Sequence, residues 1–348
     1  MSARPEKRRG SWLKVIAIVS LSLFATVVLL ADFIAPYDPV VQTRDLPSAP
    51  RTRVHFMDAS GEFHVRPSIY KIELIDALEG RFVEDSSKAF PVELFVRGDS
   101  YRLFGLFPSD LHLIGVAGTQ PNAPRIHLLG TDALGRDRFS RLLIATKFSL
   151  IVTPIGAIMA FAIGMLIGLV SGYASRFVDT AIMGVTDTVL ALPTLILILA
   201  ARAAFPLDLP PLRAATLLIL IFALTGWAEI ARLTRGLVRS IKEREYILAA
   251  RSIGSSEPRI LFRHILPNAA GPLLTQATIM LPYFLLSEVA LSFLGVGVQE
   301  PQPSLGNMLA AAADISQLQR SPFLLLSPAI VIFIFVFAVR SLAEKDPD

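Results

Sequence analysis

The chain has 348 residues, of which 53% are hydrophobic and 18% are charged, with a mean hydropathy of +0.57 and a formal net charge of +4. Soluble globular domains contain about 25% charged residues, so this composition excludes a disordered chain, argues against an ordinary cytosolic enzyme and is typical of a membrane protein. The absence of cysteine excludes disulfide bonds, thiolate metal sites and a cysteine nucleophile.

Six stretches are apolar enough, or nearly so, to cross a bilayer as helices of about 20 residues. They cover 12–31, 148–174, 180–201, 214–231, 269–291 and 321–339. The fourth is the weakest, because it is short and carries Glu229 near its end. Prolines inside these spans predict fixed kinks, with hinges used in gating as the alternative. These prolines are Pro154, Pro193, Pro272, Pro282 and Pro328.

The positions of lysine and arginine predict the orientation in the membrane. If the N-terminus lies inside, the inner segments hold 16 of these residues and the short outer loops hold only Arg202, Arg213 and Arg320. The other 14 lie in the segment 34–147, which is too long to count under this rule. We therefore expect both termini, residues 1–11 and 343–348, to be cytoplasmic. The first helix, over 12–33, is expected to remain as an anchor, because no clear Ala-x-Ala cleavage site follows it.

The long segment 34–147 is expected to form a small folded domain outside the membrane. Residues 52–57 and 62–66 flank the turn sequence Asp58-Ala-Ser-Gly61, which predicts a β-hairpin. Residues 92–96 and 101–106 flank Arg97-Gly-Asp-Ser100 and predict a second one. The predicted fold is thus an all-α polytopic membrane protein with six transmembrane helices and a β-containing extracytoplasmic insert between helices 1 and 2.

A helical membrane core is predicted over 148–342, with a basic cytoplasmic loop at 232–268. In that loop Gly254 is typical of a residue that ends a helix, and Ser256 and Pro258 are typical of the start of the next one. Two short helices joined in this way would form a protruding elbow. Anionic lipid is the default partner of a basic loop, but small residues and a glycine stop are not needed for lipid binding.

Charged residues inside spans are costly and usually functional. Asp187 is expected either to pair with Arg232 or Arg235 or to line a pathway, and Glu288 is expected to line a pathway or to lie at the interface. Before the second span we expect a structural, ion-paired elbow that contains Arg136, Asp137 and Arg141.

The cytoplasmic loop contains Ala249-Ala250, three residues, Gly254, nine residues and then His264-Ile-Leu-Pro267. In this spacing it resembles the EAA loop of ABC-importer permeases, whose pattern is Glu-Ala-Ala, three residues, Gly, nine residues and Ile-x-Leu-Pro. Two positions depart, since Leu248 stands where Glu is expected and His264 replaces Ile. The ending His-Ile-Leu-Pro-Asn resembles the dipeptide/oligopeptide/nickel branch of that family.

Other segments resemble the same branch in the same order along the chain. They are 129–141, Asp179 to Pro193, Trp227 to Arg235, and Leu291 to Met308. Glu300 and Leu305 replace a usual Pro and Trp, and Gly184 stands where Arg is common. The segment 40–120 has no counterpart in this resemblance and is longer than the usual outer loop of the family.

The resemblance implies the type I ABC importer permease fold in a bacterial inner membrane. It also implies several partners: a second, different permease subunit, two ATPase subunits, an extracytoplasmic substrate-binding protein and membrane lipid, but no nucleic acid. ATP and Mg²⁺ would bind the ATPases, and this chain lacks a Gly-x-x-x-x-Gly-Lys-Ser/Thr loop. No catalytic, cofactor or metal site is therefore expected on it.

The resemblance also assigns the residues that would couple the chain to the ATPases. For the small residues among them the alternative is ordinary helix packing, for the charged ones a solvated face, and for the histidine a capping or packing role. The set is Glu245, Leu248, Ala249, Ala250, Arg251, Gly254, Ser255, His264 and Pro267.

The expected function is that of a permease subunit of an importer for peptides or similar small solutes. One alternative is a gradient-driven secondary transporter, although no clear internal repeat is present. Another is a membrane-anchored enzyme with a catalytic outer domain. That domain has His55, His64, His112 and His127, but not in a metal-ligand spacing such as His-Glu-x-x-His.

Overall fold

The computed structural model describes residues 4–57, 62–76, 79–116, 124–315, 318 and 325–343, and it describes side chains from Trp12 onward. The first described helix is followed by strands and then by further helices. These elements are α1 (Arg4–Ile34), β1 (His55–Met57), β2 (Phe63–Asp76), β3 (Arg81–Leu103), β4 (Phe107–Val116), α2 (Arg138–Tyr173), α3 (Arg176–Ala191), α4 (Thr194–Ala203), α5 (Pro211–Lys242), α6 (Glu245–Ser252), α7 (Glu257–Ile260), α8 (Leu266–Phe293), α9 (Leu305–Ala310) and α10 (Ser327–Ala343).

The chain divides into two compact units. The helical unit comprises Met1–Leu21, Leu150–Leu291 and Ile334–Asp348. The sheet unit comprises Ser22–Ser149 and Ser292–Phe333.

Four helices in the described part of the chain are long and apolar enough to cross a membrane: 12–34 of α1, α2, α5 and the stretch 257–293. A fifth is present if α3 and α4 count as one span. Helix α10 is apolar but has only 17 residues, so it is shorter than these four helices. Residues 321–324, with which the sixth predicted span begins, lie outside the described residues.

The third predicted span is not one straight helix. Helices α3 and α4 are bent by 86° at Leu192-Pro193. Proline has no N–H for the helical ladder, and it restricts the residue before it to extended backbone, which Leu192 adopts with φ −92° and ψ 136°. The proline predicted as a kink therefore ends one helix and begins another.

The fourth predicted span, 214–231, is too short, because α5 continues to Lys242. Hydrophobicity falls at Arg232, but the helical period continues, with Ala231, Thr234, Val238 and Ile241 all buried along one face. The first third of the predicted cytoplasmic loop is therefore the end of this long helix.

Helix α2 packs against α5 through glycines spaced four residues apart. A Cβ atom on Gly168 would lie 2.5 Å from the carbonyl oxygen of Ala231, and one on Gly172 would lie 2.7 Å from Val238 Cγ1. Gly164 faces the Trp227 carbonyl in the same way. Such stripes let helix backbones approach closely in membranes, where packing replaces the hydrophobic effect as the force that joins helices.

We expect Gly168→Ala to lower the free energy of unfolding by about 1–3 kcal/mol, because the added methyl group overpacks the α2–α5 contact. Gly184→Ala is the matched control, since a Cβ at Gly184 in α3 meets no atom within 4 Å. There the same change should stabilise the helix by about 0.5–1 kcal/mol. Thermal unfolding of the purified variants in detergent checks both, and equal shifts of the same sign would contradict the packing account.

The strands form one antiparallel sheet in the order β1-β2-β3-β4. Met57 pairs with Phe63, so the strand pairing of the first predicted hairpin is confirmed, while its turn, 58–61, lies outside the described residues. The second predicted hairpin is wrong. The turn that joins β3 to β4 is at 104–106, where Phe104 and Gly105 have φ values of 55° and 73°.

The sequence Arg97-Gly-Asp-Ser100 instead forms an irregularity within β3. Arg97 pairs with Leu111 and Tyr101 pairs with Ser109, so β3 has extra residues between two closely spaced partners on β4. Gly98 lies over the ring of His112, where a Cβ would come within 2.8 Å of Cδ2. Turn-forming residues thus serve a bulge that makes room for a buried histidine.

His112 and His127 both have structural partners in the sheet unit. His112 Nδ1 lies 2.5 Å from the Ala35 carbonyl oxygen and Nε2 lies 2.8 Å from that of Asp99. His127 Nδ1 lies 2.8 Å from Asp137 Oδ1, and both side chains are buried. These contacts join the sheet to the segments on either side of it and do not form a metal-binding group within the described residues.

Candidate functional site

Helix α6 is a short amphipathic helix that follows α5 directly. Its inner face is Ile247 and Ala250, which are 0% and 8% exposed. This face packs into a buried apolar cluster formed with Val238, Ile241, Ile260, Ile265, Ala269 and Leu273. The cluster attaches α6 to both α5 and α8, so the short helix has a defined position.

Gly254 ends α6 as the sequence predicts. Its φ of +81° is in the left-handed region. Its N–H donates to the Arg251 carbonyl at 2.9 Å, and the Ser255 N–H donates to the Ala250 carbonyl at 3.0 Å. This pair of bonds is a Schellman motif, in which a glycine is favoured because it has no Cβ.

The second short helix of the predicted elbow is instead the beginning of a long one. After Ser256, which has extended backbone, α7 continues through a π-helical turn, Leu261–Ile265, into α8. The Leu266 N–H donates to the Leu261 carbonyl, five residues back. Pro267 has no N–H to donate, so it can follow this wider turn without a lost hydrogen bond. We refer to residues 243–256 as the coupling elbow.

The outer face of the coupling elbow is apolar. Tyr246, Leu248 and Ile253 are 40%, 50% and 84% exposed, and Phe262 on the next helix is 70% exposed. Ala249 is exposed beside Leu248. Ala250 faces inward, so of the two alanines in the motif only Ala249 is available to a partner.

The charged and polar members of the predicted coupling set lie around this face. Arg251 pairs with Glu257, with Nε 2.7 Å from Oε1 and Nη2 3.1 Å from Oε2, and this bonding raises the pKa of the Arg251 guanidinium. Glu245 is exposed, and Ser255 is half-buried. The His264 ring is also half-buried and lies 6.2 Å from that of Tyr246. Arg251 therefore joins α6 to the first residue of α7.

Asp187 forms an ion pair with Arg232, which is one of the two arginines predicted as its partner. The two side chains are 61% and 54% exposed, and both lie in the helical unit. The pair joins α3 to α5 on an open surface of the described chain.

Asp179 is the centre of a more buried network of hydrogen bonds and ion pairs, which the sequence analysis did not predict. Its carboxylate accepts hydrogen bonds from Ser171 Oγ at 2.5 Å and from Arg235 Nε and Nη2 at 3.0 and 2.7 Å. Arg239 Nη2 lies 2.6 Å from Oδ2. Asp179 is 4% exposed, so the group joins α2, α3 and α5 where they pack together. The signal that could have found it is the spacing of the two arginines four residues apart on α5.

Two further carboxylates lie within the helical unit. Glu288 is 0% exposed, so it lies inside the unit and not on its surface. Glu229 accepts a hydrogen bond from Gln276 Nε2 at 3.0 Å. It lines a cavity of ≈ 170 Å³ between the α3–α4 bend, α5 and α8, with Thr225, Met280 and Tyr283 among the other lining residues.

The arginine elbow before α2 is ion-paired in the sheet unit. Arg136 binds Asp132 and Glu300, with Nε–Oδ2 and Nη1–Oε2 distances of 2.7 and 2.5 Å. Arg141 Nη2 lies 2.9 Å from Glu300 Oε1. Asp137 does not pair with these arginines, because it binds His127 and caps α2 by accepting from the Ser140 N–H. Glu300 thus takes a structural role at a position where the sequence departs from its family pattern.

Comparison with known proteins gives consistent matches. Residues 164–344 match the family described as binding-protein-dependent transport system inner membrane component. The oligopeptide transport system permease protein OppC of Bacillus subtilis (strain 168) is 34% identical over 218 residues, which cover 63% of this chain and 69% of OppC. The di/tripeptide transport system permease protein DppC of Pseudomonas aeruginosa (strain UCBPP-PA14) is 36% identical over 217 residues, which cover 62% of this chain and 69% of DppC. A chain of the MetNI methionine ABC transporter, solved in inward-facing conformations, is 18% identical, covers 58% of this chain and 94% of its own length, and has a TM-score of 0.44.

Proposed function

Because the chain belongs to the family of binding-protein-dependent transport system inner membrane components, and is therefore a permease subunit of an ABC importer and not an enzyme, we propose that it carries peptides or solutes of similar size. We further propose that the coupling elbow is its contact with the ATPase subunits. The observation that carries this second proposal is the exposed apolar face of Leu248 and Ile253 on a short helix whose other face is anchored.

The anchoring of α6 supports a coupling role in physical terms. A docking element transmits force only if it is attached rigidly to the elements that must move. Ile247 and Ala250 attach α6 to α5 and α8, and the Arg251–Glu257 pair spans the turn between α6 and α7. A partner that displaces the exposed face would therefore displace the two long helices as well.

Peptide cargo is proposed from the relatives, whose names describe oligopeptide and di/tripeptide permeases. The cavity beside Glu229 is a candidate part of the pathway, since it offers a carboxylate and a hydroxyl at the side of three long or bent helices. A peptide amino group is a suitable partner for such a carboxylate, because an ammonium group can donate hydrogen bonds to carboxylate oxygens.

The proposed arrangement has six transmembrane helices, with both termini cytoplasmic and the β-sheet outside the membrane. It pairs this chain with a second, different permease, two ATPases and a substrate-binding protein. ATP and Mg²⁺ bind the ATPases in this scheme. One ATPase would contact the exposed surface of the elbow, which is formed by Glu245, Leu248, Ala249 and Ile253. The conformation of the elbow would depend on Ala250, Gly254 and Pro267.

The test is a gentle-detergent purification of the tagged chain from cells that express its neighbours, followed by mass spectrometry. We expect a second permease and ATPase subunits to co-purify. Leu248→Asp should reduce ATPase recovery at least tenfold and leave the second permease bound, since it places a charge in an apolar contact. Glu243→Asp, at an exposed position of the same elbow, is the control and should leave ATPase recovery unchanged. A chain that purifies alone would contradict the proposal.

The sheet unit is proposed to contact the substrate-binding protein. The hairpin tip between β3 and β4 exposes Phe104, Leu106 and Phe107 by 51%, 74% and 63%, and an apolar patch of this kind often marks an interaction site. We expect Leu106→Asp to weaken recruitment of the binding protein to proteoliposomes and to leave basal ATPase activity unchanged. If the Leu106→Asp variant recruits the binding protein as well as the wild type does, the hairpin tip is not part of this contact.

A further inference from the structure

A second cavity, in the sheet unit, has an excess of positive charge. It has a volume of ≈ 120 Å³ and is lined by three arginines, Arg136, Arg138 and Arg141, and by two carboxylates, Asp132 and Glu300. The three positive charges of the lining therefore exceed its two negative charges by one. Apolar side chains from the segments around Met308 and Leu325 complete the wall.

Arg138 accounts for the excess. It is 7% exposed, and its guanidinium makes no hydrogen bond to a side chain in the part of the chain that the structure describes. Asp132 attracts it through space, but that carboxylate already lies 2.7 Å from Arg136 Nε and 3.6 Å from Arg141 Nε. Glu300 is likewise shared between Arg136 and Arg141. A buried guanidinium whose only counter-charge is a carboxylate shared with two other arginines is costly, so the arrangement favours an external anion.

The position of the cavity limits the source of that anion. Arg138 is the first residue of α2, Pro328 lies at the start of α10, and Leu325 lies two residues before that helix. The sixth span expected from the sequence, 321–339, begins just before Leu325 and Pro328, so these lining residues are expected near the edge of the hydrocarbon core, beside the lipid head groups. Phosphates are abundant at that depth.

The geometry points to a site for a single oxyanion of phosphate type, held by Arg138 and supplied by a phospholipid head group. Arginine suits this ligand because its planar guanidinium can donate two parallel hydrogen bonds to adjacent oxygens. The small volume accommodates one such group and not a peptide. The apolar wall beside Met308 and Leu325 would face the glycerol and the first part of the acyl chains.

The test measures thermal unfolding of the full chain, delipidated in a maltoside detergent that contains no phosphate. Dioleoylphosphatidylglycerol should raise the unfolding temperature by about 5 °C. Dioleoylglycerol, which has the same chains and no phosphate, should not. Inorganic phosphate distinguishes the sources: a weaker effect than that of the lipid assigns the site to a head group, and an equal effect assigns it to a free anion.

Arg138→Gln gives a readout that a merely structural arginine would not produce. Without lipid it should unfold at a temperature higher than the wild type by about 3 °C, because the buried unpaired charge is gone, and it should lose the response to phosphatidylglycerol. Arg138→Lys should retain part of the response. Arg97→Gln, at an arginine whose side chain is 85% exposed, should behave like the wild type. A lower unfolding temperature of Arg138→Gln in every condition, or an unchanged lipid response, would overturn the proposal.

Discussion

Substitution of Asp179 by alanine should lower the free energy of unfolding of the chain by about 2–3 kcal/mol. The carboxylate is buried and accepts from Ser171 and Arg235 while it also pairs with Arg239. Its removal leaves two guanidinium groups close together without a counter-charge. The loss should be smaller than the roughly 3–5 kcal/mol of a fully buried pair, because Arg235 and Arg239 remain 31% and 39% exposed.

The matched control is Asp187→Ala, on the same helix α3. Asp187 also pairs with an arginine of α5, Arg232, but the side chains of both residues are more than half exposed. Exposed pairs contribute about 0–1 kcal/mol, so the control should unfold close to the wild type. Thermal or denaturant unfolding in detergent compares the two variants. If Asp187→Ala proved the more damaging, the difference in burial would not explain the energetics of these helices.

Substitution of Gly254 by valine should reduce ATPase docking and transport about tenfold or more. The residue has φ +81°, a region that costs an L-residue roughly 1–2 kcal/mol and is least accessible to β-branched side chains. A change of 1.4 kcal/mol corresponds to about tenfold in an equilibrium constant. The coupling elbow would relax into another conformation and displace Leu248 and Ile253 from the docking face.

Two controls separate backbone conformation from side-chain size. Gly254→Asn should retain most of the activity, because asparagine tolerates the left-handed region better than other non-glycine residues. Gly236→Ala lies in α5, where a Cβ meets no atom within 4 Å, and should be neutral or stabilising. The measurements are ATPase recovery in pull-downs and uptake by proteoliposomes. Equal losses for Val and Asn at 254 would indicate that bulk, and not φ, is what the position excludes.

The features that depend on residues close together in the chain were predicted correctly in two cases. Gly254 predicts the end of α6 because the Schellman motif depends on neighbours in the chain. The first hairpin is similar, since Met57 and Phe63, which pair with each other, are only six positions apart in the chain. The hairpin turn predicted at Arg97-Gly-Asp-Ser100 was wrong, because turn-forming residues also suit a bulge. The choice between the two depends on the close approach of His112 to Gly98, which is distant in the sequence.

Contacts between distant segments could not be read from the sequence in the same way. Asp179 is one acidic residue near the start of an apolar stretch, and its importance depends on Arg235 and Arg239 reaching it from another helix. Ala250 carries the family motif, yet burial makes it a packing residue, and this depends on how α6 lies on α8. Hydropathy alone placed the end of the fourth span at 231, because it could not show that the polar continuation of α5 keeps a buried face.

The glycine stripe between α2 and α5 limits how these two helices can move during a transport cycle. Gly164 and Gly168 face α5 backbone carbonyls and Gly172 faces the Val238 side chain, so a slide of α2 along α5 would bring the larger residues between the glycines against the same groups. The next glycine in register is four residues away, about 6 Å along the axis. We therefore expect α2 and α5 to move together as one body. Bending is then expected at other places, such as the 86° break between α3 and α4 at Pro193.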